Sequence, residues 1–369
     1  MEFKINREIF LGGIQKTLGI VDKKTTIPIL NNILLRAESN KINIIATDRE
    51  IILISDYEAD IVEEGEITIL AKKIYEMVRE IQGEVINFIQ KNNVVKISAQ
   101  RAFYKMPGLP AEDFPSITDQ EDIPLFKVPG NAIKDLIHKT SFAMATDETR
   151  KNLNGVLLEE GMDGVNHFLR MVATDGHRLA LAKNIIPAHF FKAGKGVIIP
   201  RKGLMEIKKI IDENEDVKIG LHKNMFIVQT ENTLLKVSLV DADYPDYKKV
   251  IPTEKGMTVT LKRESLLHAL RRMSVVSSER YGGVILSFSQ GKLTLNSTNL
   301  DVGEATEEID IDYEGDVIDS GFNVNYLIDA ISVVNQEHII FEVGSGLKPS
   351  MIKQAEGDQY LCIIMPLKI

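Results

Sequence analysis

The sequence predicts an α+β protein built from three tandem, similar domains, each with two helices packed on antiparallel sheets. Three observations support this. A unit of about 125 residues recurs three times, which is a domain-sized period. Each unit contains two segments in which apolar spacing changes from strand-like to helix-like. The strands are short and closely spaced, which leaves no room for the crossovers of parallel sheets. Two helices cannot cover both faces of a large sheet, so we expect them on one face.

A pair of apolar strands that ends in a Thr-Asp or Thr-Asn turn marks the repeat. Thr47, Thr174 and Thr298 hold equivalent positions. The flanking segments are PILNNILLRAESNKINIIATDREIIL, KNLNGVLLEEGMDGVNHFLRMVATDGHRLAL and RYGGVILSFSQGKLTLNSTNLDVGEA. Asp175-Gly176 between two strands would by itself predict a plain hairpin with a type I′ turn.

Each unit opens with a strand that runs into a helix, in FKINREIFLGGIQKTL, FKVPGNAIKDLIHKT and VTLKRESLLHALRRM. A second strand–helix pair follows in ITILAKKIYEMVREI, GVIIPRKGLMEIKKII and GFNVNYLIDAISVV. Leu204, Ile207 and Ile211 form one helical stripe of the second kind. Polar, proline-containing linkers separate the units. The predicted domains are 1–121, 122–252 and 253–369.

Composition indicates a globular protein of the cytosol. The 369 residues are 44% hydrophobic and 26% charged, which argues against disorder. No apolar run reaches the ~18 residues of a spanning helix, and MEFKINREIF lacks a signal-peptide core. We therefore expect cytoplasmic localisation and no membrane partner. The single Cys362, in the apolar run YLCIIMP, excludes a disulfide framework and predicts a buried strand residue.

Charge is unevenly distributed between the predicted helices and the rest of the chain. The net charge of −9 argues against a protein that grips nucleic acid over its whole surface. The six predicted helices nevertheless carry +5 together: 7–16, 72–82, 131–140, 201–213, 263–273 and 323–335. These cations either keep exposed faces soluble or contact a polyanion weakly. In the second case, retention on DNA would have to come from topology.

No motif for catalysis or metal binding is present. None of the seven histidines has an H-x-x-x-H spacing, and G-x-S-x-G, Walker A and G-x-G-x-x-G are absent. Asp48, Asp175 and His177 could be imagined as a hydrolytic set, but Asp48 lies in another repeat. We expect no catalytic residue, no metal and no cofactor.

Five further motifs carry a family resemblance. The chain resembles the bacterial DNA polymerase III beta subunit family, the sliding clamps, over essentially its whole length. The motifs are LPAEDFP (109–115), ATDGHRLAL (173–181), LVDADYPDYKKVIP (239–252), GFNVNYLIDAI (321–331) and MPLKI (365–369). The resemblance implies the DNA clamp fold, assembled as a ring by a head-to-tail homodimer.

It also implies a non-catalytic processivity factor in DNA replication. The ring would encircle duplex DNA independently of sequence and be opened by a clamp loader. It would tether DNA polymerases and other replication and repair proteins, which bind through short peptide motifs. By motif, the wall of the partner-peptide pocket would be Leu153, Thr174, Gly176, His177, Arg178, Leu179, Pro245, Val250, Tyr326, Ser350, Ile363, Met365, Pro366, Leu367, Lys368 and Ile369.

The resemblance also implies which residues meet the partner protomer and DNA. The dimer interface would join the first domain to the partner's third through Arg101, Tyr104, Lys105, Met106, Val275, Val276, Asp301 and Glu304. Arg101 and Lys105 of the first domain would face Asp301 and Glu304 of the partner's third domain. The alternative is that these charged side chains are simply solvated. The DNA-facing set would be Lys24, Lys72, Lys73, Arg79, Lys134, Lys139, Arg201, Lys202, Lys208, Lys209, Arg271 and Arg272.

Two alternatives remain at the level of sequence. One is an enzyme, although no sequence motif supports this alternative. The other is a three-domain interaction scaffold that never encircles DNA but shares the repeats and the pocket. Native mass and retention on circular against linear DNA distinguish this scaffold from a clamp.

Overall fold

A computed structural model describes residues 1–21, 26–117, 123–187, 196–253, 256–277, 282–344 and 346–368. The predicted site residues Lys24 and Ile369 lie outside these described residues. Within them, the chain forms six α-helices and 25 strands, two helices and eight or nine strands per repeat. No helix in the described ranges is long and apolar enough to cross a membrane.

The elements follow the same order in each repeat. The first contains β1 (Glu2–Asn6), α1 (Arg7–Thr17), β2 (Asn32–Glu38), β3 (Lys41–Thr47), β4 (Ile51–Glu58), β5 (Asp60–Glu63), β6 (Gly65–Leu70), α2 (Ala71–Glu80), β7 (Val85–Lys91), β8 (Val94–Ala99) and β9 (Ala102–Pro107). The second contains β10 (Phe126–Pro129), α3 (Gly130–Thr140), β11 (Gly155–Asp163), β12 (Asn166–Thr174), β13 (Arg178–Ile186), β14 (Val197–Pro200), α4 (Arg201–Ile210), β15 (Asp216–His222), β16 (Met225–Gln229) and β17 (Thr233–Ser238).

Among the described residues, neither the second nor the third repeat has a counterpart of β5. It contains β18 (Met257–Lys262), α5 (Arg263–Val276), β19 (Gly283–Ser289), β20 (Lys292–Asn299), β21 (Gly303–Asp310), β22 (Ile318–Asn323), α6 (Val324–Ser332), β23 (His338–Val343), β24 (Ser350–Gln354) and β25 (Tyr360–Ile364). Every ladder between these strands is antiparallel, so the α+β prediction is confirmed.

Equivalent hydrogen bonds fix the alignment of the repeats. The first residue of α1 and of α5 is an arginine, and each guanidinium donates to carbonyls at the end of the repeat's second helix. Arg7 reaches Val78 and Arg79, while Arg263 reaches Ile331 and Ser332. The backbone N–H of the first residue of α1, α3 and α5 also donates to the residue just before β7, β15 and β23. Positions in one repeat can therefore be matched to positions in another.

Local sequence explains where two of the helices begin. The Asn6 carboxamide oxygen accepts the backbone N–H groups of Glu8 and Ile9 at 2.9 and 3.2 Å. Asn323 does the same at the start of α6. Such N-caps satisfy donors that a helix cannot satisfy itself. The apolar faces of the helices are buried; in α6 these are Val324, Leu327, Ala330 and Ile331.

The described chain separates into two compact units. One comprises residues 1–131 with 202–239, and the other comprises residues 132–201 with 240–369. The first contains a five-stranded sheet, β5-β1-β7-β8-β9, and an eight-stranded sheet, β10-β15-β16-β17-β4-β3-β2-β6. The second contains an eight-stranded sheet, β14-β11-β12-β13-β25-β24-β23-β18, and a four-stranded sheet, β21-β20-β19-β22. Each eight-stranded sheet combines strands of two successive repeats, so the units do not follow the repeats. The domain limits at 121 and 252 stay predictions.

Equivalent strands are paired between successive repeats in two places and lie at open sheet edges in the third. β4 pairs with β17 and β13 pairs with β25, so the last strand of one repeat continues the sheet of the preceding repeat. The equivalent positions in the remaining half-sheets are β9 and β21, which are terminal strands of their sheets. No described strand pairs with the outer edge of either one.

Candidate functional site

A buried apolar cluster underlies the segments that carry the family motifs of the second and third repeats. Leu179 on β13 and Ile363 on β25 are directly opposite each other and are 3% and 2% exposed. Tyr244, Ile251 and other residues of the linker after β17 pack onto this cluster. The cluster comprises Leu157, Val172, Leu179, Leu181, Ile198, Tyr247, Met351 and Ile363.

Exposed apolar side chains lie close to the cluster in sequence. Val250, Met365 and Leu367 are 45%, 38% and 37% exposed. The Met365 N–H donates to the His177 carbonyl at 2.9 Å, and the Leu367 N–H donates to the Gly321 carbonyl at 2.8 Å. These bonds fix the C-terminal segment beside the β12–β13 turn. The arrangement offers apolar surface that a peptide's leucine or phenylalanine could cover.

The β12–β13 turn is built by its own side chains. The Thr174 hydroxyl accepts the Gly176 N–H and donates to the Arg178 carbonyl. One Asp175 carboxylate oxygen accepts the N–H groups of His177 and Arg178 at 2.9 and 3.1 Å. Only Gly176 has a positive φ, at 94°. A type I′ turn needs two positive φ angles, so that prediction is wrong; an Asx-type turn replaces it.

The same turn occurs in the first repeat with different neighbours. Thr47 and Asp48 make the corresponding bonds, and Arg49 holds the Gly176 position with φ of 80°. The residue after the turn, however, is buried Ile51 in place of Arg178. In the second and third repeats Leu179 of β13 lies opposite Ile363 of β25. The corresponding pair in the first and second repeats is Ile52 of β4 opposite Lys236 of β17. The turn therefore belongs to the fold, while the apolar strand pair belongs to the second and third repeats.

Arg178 makes the densest set of polar contacts near the turn. Its guanidinium donates to Asp175 at 3.1 Å, to Asp329 at 2.6 Å and to the Phe142 carbonyl at 2.6 Å. It also lies over the Tyr326 ring, 4.3 Å from the ring centroid. Burial acts to lower the pKa of Arg178, but the hydrogen bond and charge of Asp329 and the charge of Asp175 outweigh it and raise the pKa. The cation is thus fixed in the wall, with its donors directed at this protein's own acceptors.

A second polar network holds the linker that carries Val250. The Tyr247 hydroxyl donates to Glu159 at 2.6 Å and accepts from Arg170 at 3.1 Å. Burial and the hydrogen bond to Glu159 raise the pKa of Tyr247 to about 12, so the phenol stays protonated at neutral pH. Tyr247 opens the short 3₁₀ turn Tyr247–Val250, which places Val250 at the surface.

The linker also borders a cavity of about 610 Å³. Its wall combines apolar side chains with three lysines. Among the residues that line it are Lys248, Lys249, Val250, Met257, Ile318, Lys348 and Met351. Val250 is the one predicted pocket residue among all of those lining this cavity.

Other predicted pocket residues are less directly placed. Ser350 is 1% exposed and its hydroxyl accepts the Gly344 N–H, so its side chain faces the interior. Leu153 donates its N–H to the Arg150 carbonyl, and the Arg150 guanidinium donates to the Asp175 carbonyl, which links Leu153 to the turn. Pro245 and Lys368 are exposed, and Pro366 is half-buried.

Most of the predicted DNA-facing cations are engaged in ion pairs. Lys72 and Lys73 both contact Glu76, and Lys209 contacts the buried Glu206. The remaining engaged cations and their partners are Arg79 with Glu80, Lys139 with Asp135, Lys202 with Asp48 and Arg272 with Glu307. No described residue forms an ion pair with Lys134, Arg201, Lys208 or Arg271. The pair of Arg79 with Glu80 is exposed on both sides and therefore weak, so a phosphate could replace the carboxylate there. The carboxylates of Glu206 and Asp48 are largely buried, which makes their pairs harder to replace.

The predicted dimer residues lie on or beside the two open edges. Tyr104, Lys105 and Met106 are on β9, with Arg101 just before it. Met106 is only 5% exposed, because Tyr104 and Met106 lie opposite the core residues Ile97 and Val95.

On the other side, Glu304 is on the outer strand β21 and Asp301 is in the turn before it. Val275 at the end of α5 is 76% exposed and Val276 is half-buried. The sequence prediction missed Phe103, which is 59% exposed with the Lys96 ammonium 5.1 Å from its ring.

Cys362 is not placed to act as a nucleophile. Cys362 is fully buried, and burial raises the pKa of its thiol to about 12. Across the described ranges, no group of three or more His, Cys, Asp or Glu side chains could hold a metal ion. The repeated fold and the exposed apolar side chains of Val250, Met365 and Leu367 are those of a multidomain binding protein.

Comparison with known proteins identifies the family. Three family models match in succession: the N-terminal domain of the DNA polymerase III beta subunit over residues 1–118, its central domain over 127–246 and its C-terminal domain over 248–368. The chain belongs to the DNA polymerase III beta subunit family. The beta sliding clamp of Pseudomonas aeruginosa is 32% identical over 373 residues, and that of Vibrio cholerae is 31% identical over 375; both alignments cover 100% of each chain.

Solved structures agree with this assignment. A Caulobacter crescentus beta sliding clamp, with polyethylene glycol bound to a putative beta-motif tethering region, superposes with a TM-score of 0.94. The match has 32% identity and covers 100% of this chain and 99% of that one. A Pseudomonas aeruginosa clamp bound to griselimycin gives a TM-score of 0.92 at 32% identity, with 100% of both chains covered. The predicted clamp fold and family are thereby confirmed.

Proposed function

We propose that this protein is a DNA sliding clamp and the processivity subunit of a bacterial replicative polymerase. It is a non-catalytic member of its family, and DNA and polymerase are its partners. The observation that carries the proposal is the full-length threefold clamp fold, with an apolar strand pair at the one turn that also carries His177 and Arg178. We expect it in the cytoplasm, where bacterial DNA is replicated.

The partner peptide would bind along the exposed apolar side chains beside the β12–β13 turn. Val250, Met365 and Leu367 give surface for apolar anchors, and Leu179 and Ile363 form the base. The lysine-lined cavity adjoins this surface at Val250. Acidic residues next to the anchor suit this cavity, because its lining holds three lysines and one carboxylate, Glu342, which already pairs with Lys353.

The homodimer would form by joining the two open edges. In the chain, β17 continues the sheet at β4, with Lys236 opposite Ile52 and Leu234 opposite Ile54. Transferring this register to the equivalent strands places β9 against β21 of the partner protomer. Lys105 then lies opposite Glu304 and Phe103 lies opposite Thr306. An unlike-charge pair results without any adjustment of register, which supports the pairing.

A second equivalence supports the same contact. Counting from Arg7 and Arg263, Val275 and Val276 correspond to Gly19 and Ile20. A Cβ atom on Gly19 would overlap the Glu206 carboxylate of α4, and Lys202 of α4 donates to the Ile20 carbonyl at 3.1 Å. The second helix of the next repeat thus covers this position within the chain. At Val275 the next repeat belongs to another protomer, so α2 of that protomer would cover it. Two such contacts related by rotation close a ring.

Retention of DNA would depend on the closed ring more than on affinity. The cations of the helices are largely paired with carboxylates, which agrees with contact that is weak and independent of sequence. A clamp loader would be needed to open the ring. The ring then holds a tethered polymerase at high effective concentration near its template.

The decisive experiment is retention on nicked circular DNA after treatment with a clamp loader and ATP. The protein should co-migrate with the circle during gel filtration and be lost after the circle is cut once, because a ring slides off an end. Retention that is equal on circular and linear DNA would refute the proposal and favour the interaction scaffold. A native mass of one protomer at micromolar concentration would also favour the scaffold.

A further inference from the structure

The outer end of the Arg178 side chain meets helix α6 at two positions one turn apart. Asp329 accepts from Arg178 Nη1 at 2.6 Å, and the Tyr326 ring lies 4.3 Å from the guanidinium carbon. Residues three apart on a helix share a face, so one cation is held by both. Arg178 is only 10% exposed in its side chain, whereas Asp329 is 42% exposed. Asp329 is therefore the open side of this cluster.

The repeats show that this contact is specific to the third helix. An acidic residue is the sixth residue of α2, α4 and α6: Glu76, Glu206 and Asp329. Glu76 pairs with Lys72 and Lys73, and Glu206 pairs with Lys209, each on its own helix. Only Asp329 reaches a cation on another element.

The cation is equally specific to its repeat. The position of Arg178 is a buried isoleucine, Ile51, in the first repeat. The position of Tyr326, third in its helix, is Lys73 in α2 and Gly203 in α4. Arginine, aromatic ring and external carboxylate thus occur together beside the apolar strand pair. In the first repeat the turn's Asp48 instead pairs with Lys202 of α4, so an ion pair between this turn and the next repeat's second helix belongs to the fold, whereas its arginine–ring–carboxylate form belongs to this site.

We infer that Asp329 is a positioning residue for the peptide groove, acting through Arg178 to hold the Tyr326 ring in the wall. The inference rests on the proposed peptide-binding function and deepens it. Asp175 holds Nε of the same guanidinium and also closes the β12–β13 turn. The turn, Arg178 and α6 are therefore linked by hydrogen bonds, and Asp329 is the acceptor on α6. Arg178 contributes as a platform for the ring, since each of its three guanidinium nitrogens already donates to an acceptor of this protein.

The test measures binding of a fluorescein-labelled peptide with adjacent Leu and Phe anchors, taken from a bacterial replicative polymerase. Asp329→Asn should weaken binding about fivefold to tenfold, because a charge-assisted hydrogen bond becomes a neutral one. Asp329→Glu should restore most of the affinity. Asp358→Asn is the matched control: it breaks an ion pair with Lys183 on the same strand β13, and it should leave affinity unchanged.

A second readout follows the Tyr326 ring in the full-length protein by NMR with tyrosine ring labelling. Asp329→Asn should shift the Tyr326 ring signals, Asp329→Glu should return them, and Asp358→Asn should not move them. Unaltered peptide affinity in Asp329→Asn, with wild type binding normally, would overturn the inference. If wild type itself fails to bind the peptide, the proposed function fails. The inference is then decided by the ring signals alone, and unshifted signals overturn it.

Discussion

Reversal of one charge on the open edge β9 tests the register proposed for the dimer. Lys105 is exposed and lies opposite Glu304 of the partner when the β17–β4 register is transferred. Lys105→Glu places two carboxylates face to face. Glu304→Lys in the same chain restores an unlike pair at both contacts of the ring. The dimer should therefore weaken in each single variant and recover in the double variant.

The size of the effect follows from the geometry of the pair. A cross-strand pair of unlike charges stabilises by about 0.2–1 kcal/mol, and like charges destabilise similarly, so the reversal costs about 0.4–2 kcal/mol per contact. A closed dimer has two such contacts, which gives about 1–4 kcal/mol, or roughly a fivefold to several-hundred-fold rise in the dimer Kd. The loss should shrink at high salt, because exposed charges are screened.

Sedimentation equilibrium over nanomolar to micromolar protein measures these constants directly. Lys41→Glu is the control, since Lys41 is an exposed lysine on β3 of the same repeat but away from the edge. A double variant that dimerises no better than Lys105→Glu alone would show that Lys105 and Glu304 are not opposite each other. The transferred register would then be wrong even if the protein is a dimer.

Three further predictions concern the groove, the interface and the fold. Deleting 365–369 should abolish peptide binding in a fluorescence assay while leaving native mass unchanged, and normal peptide affinity would contradict the assigned groove. Val275→Asp with Val276→Asp should give monomers by native mass spectrometry, because it buries unpaired charge at the contact; a dimer that persists at low micromolar concentration counts against that interface. Gly203→Ala should destabilise the protein by about 1–3 kcal/mol in urea unfolding, because its Cβ would overlap a β17 side chain. Gly12→Ala, on the open face of α1, should cost nothing, and equal losses in both variants would refute this packing argument.

The repeat and its helices could be predicted from sequence because their signals are local. The stripe of Leu204, Ile207, Ile210 and Ile211 predicts a helix, and α4 covers Arg201–Ile210, so the helix ends one residue before the last of them. Thr47 and Thr174 mark the same turn in the first two repeats, and Thr298 marks a turn one residue longer in the third. Such patterns need only neighbouring residues, so they survive without knowledge of tertiary contacts.

The sequence could not predict the features that depend on distant partners. Arg178 looked like a polar edge of the pocket, but Asp329, 151 residues further along the chain, fixes it in the wall. Lys202 was predicted to face DNA, but Asp48, 154 residues earlier in the chain, pairs with its ammonium group. The exposure of Phe103 could not be predicted, because the sequence of one edge strand does not show which of its two faces packs on the core. In β9 the face with Tyr104 and Met106 does so, which leaves Phe103 on the solvent side.

The open edges β9 and β21 also constrain which assemblies can form. β21 carries Glu304, Glu307 and Glu308, of which Glu307 and Glu308 pair with Arg272 and Lys292, so two copies of this strand laid side by side would gain no unlike-charge pair across the edge. Arg101 and Lys105 discourage a β9–β9 contact in the same way. In the proposed assembly each edge would therefore pair with the other edge more readily than with its own copy, which would give the assembly a fixed polarity. The same charges guard a lone protomer against the indiscriminate strand addition that leads to aggregation.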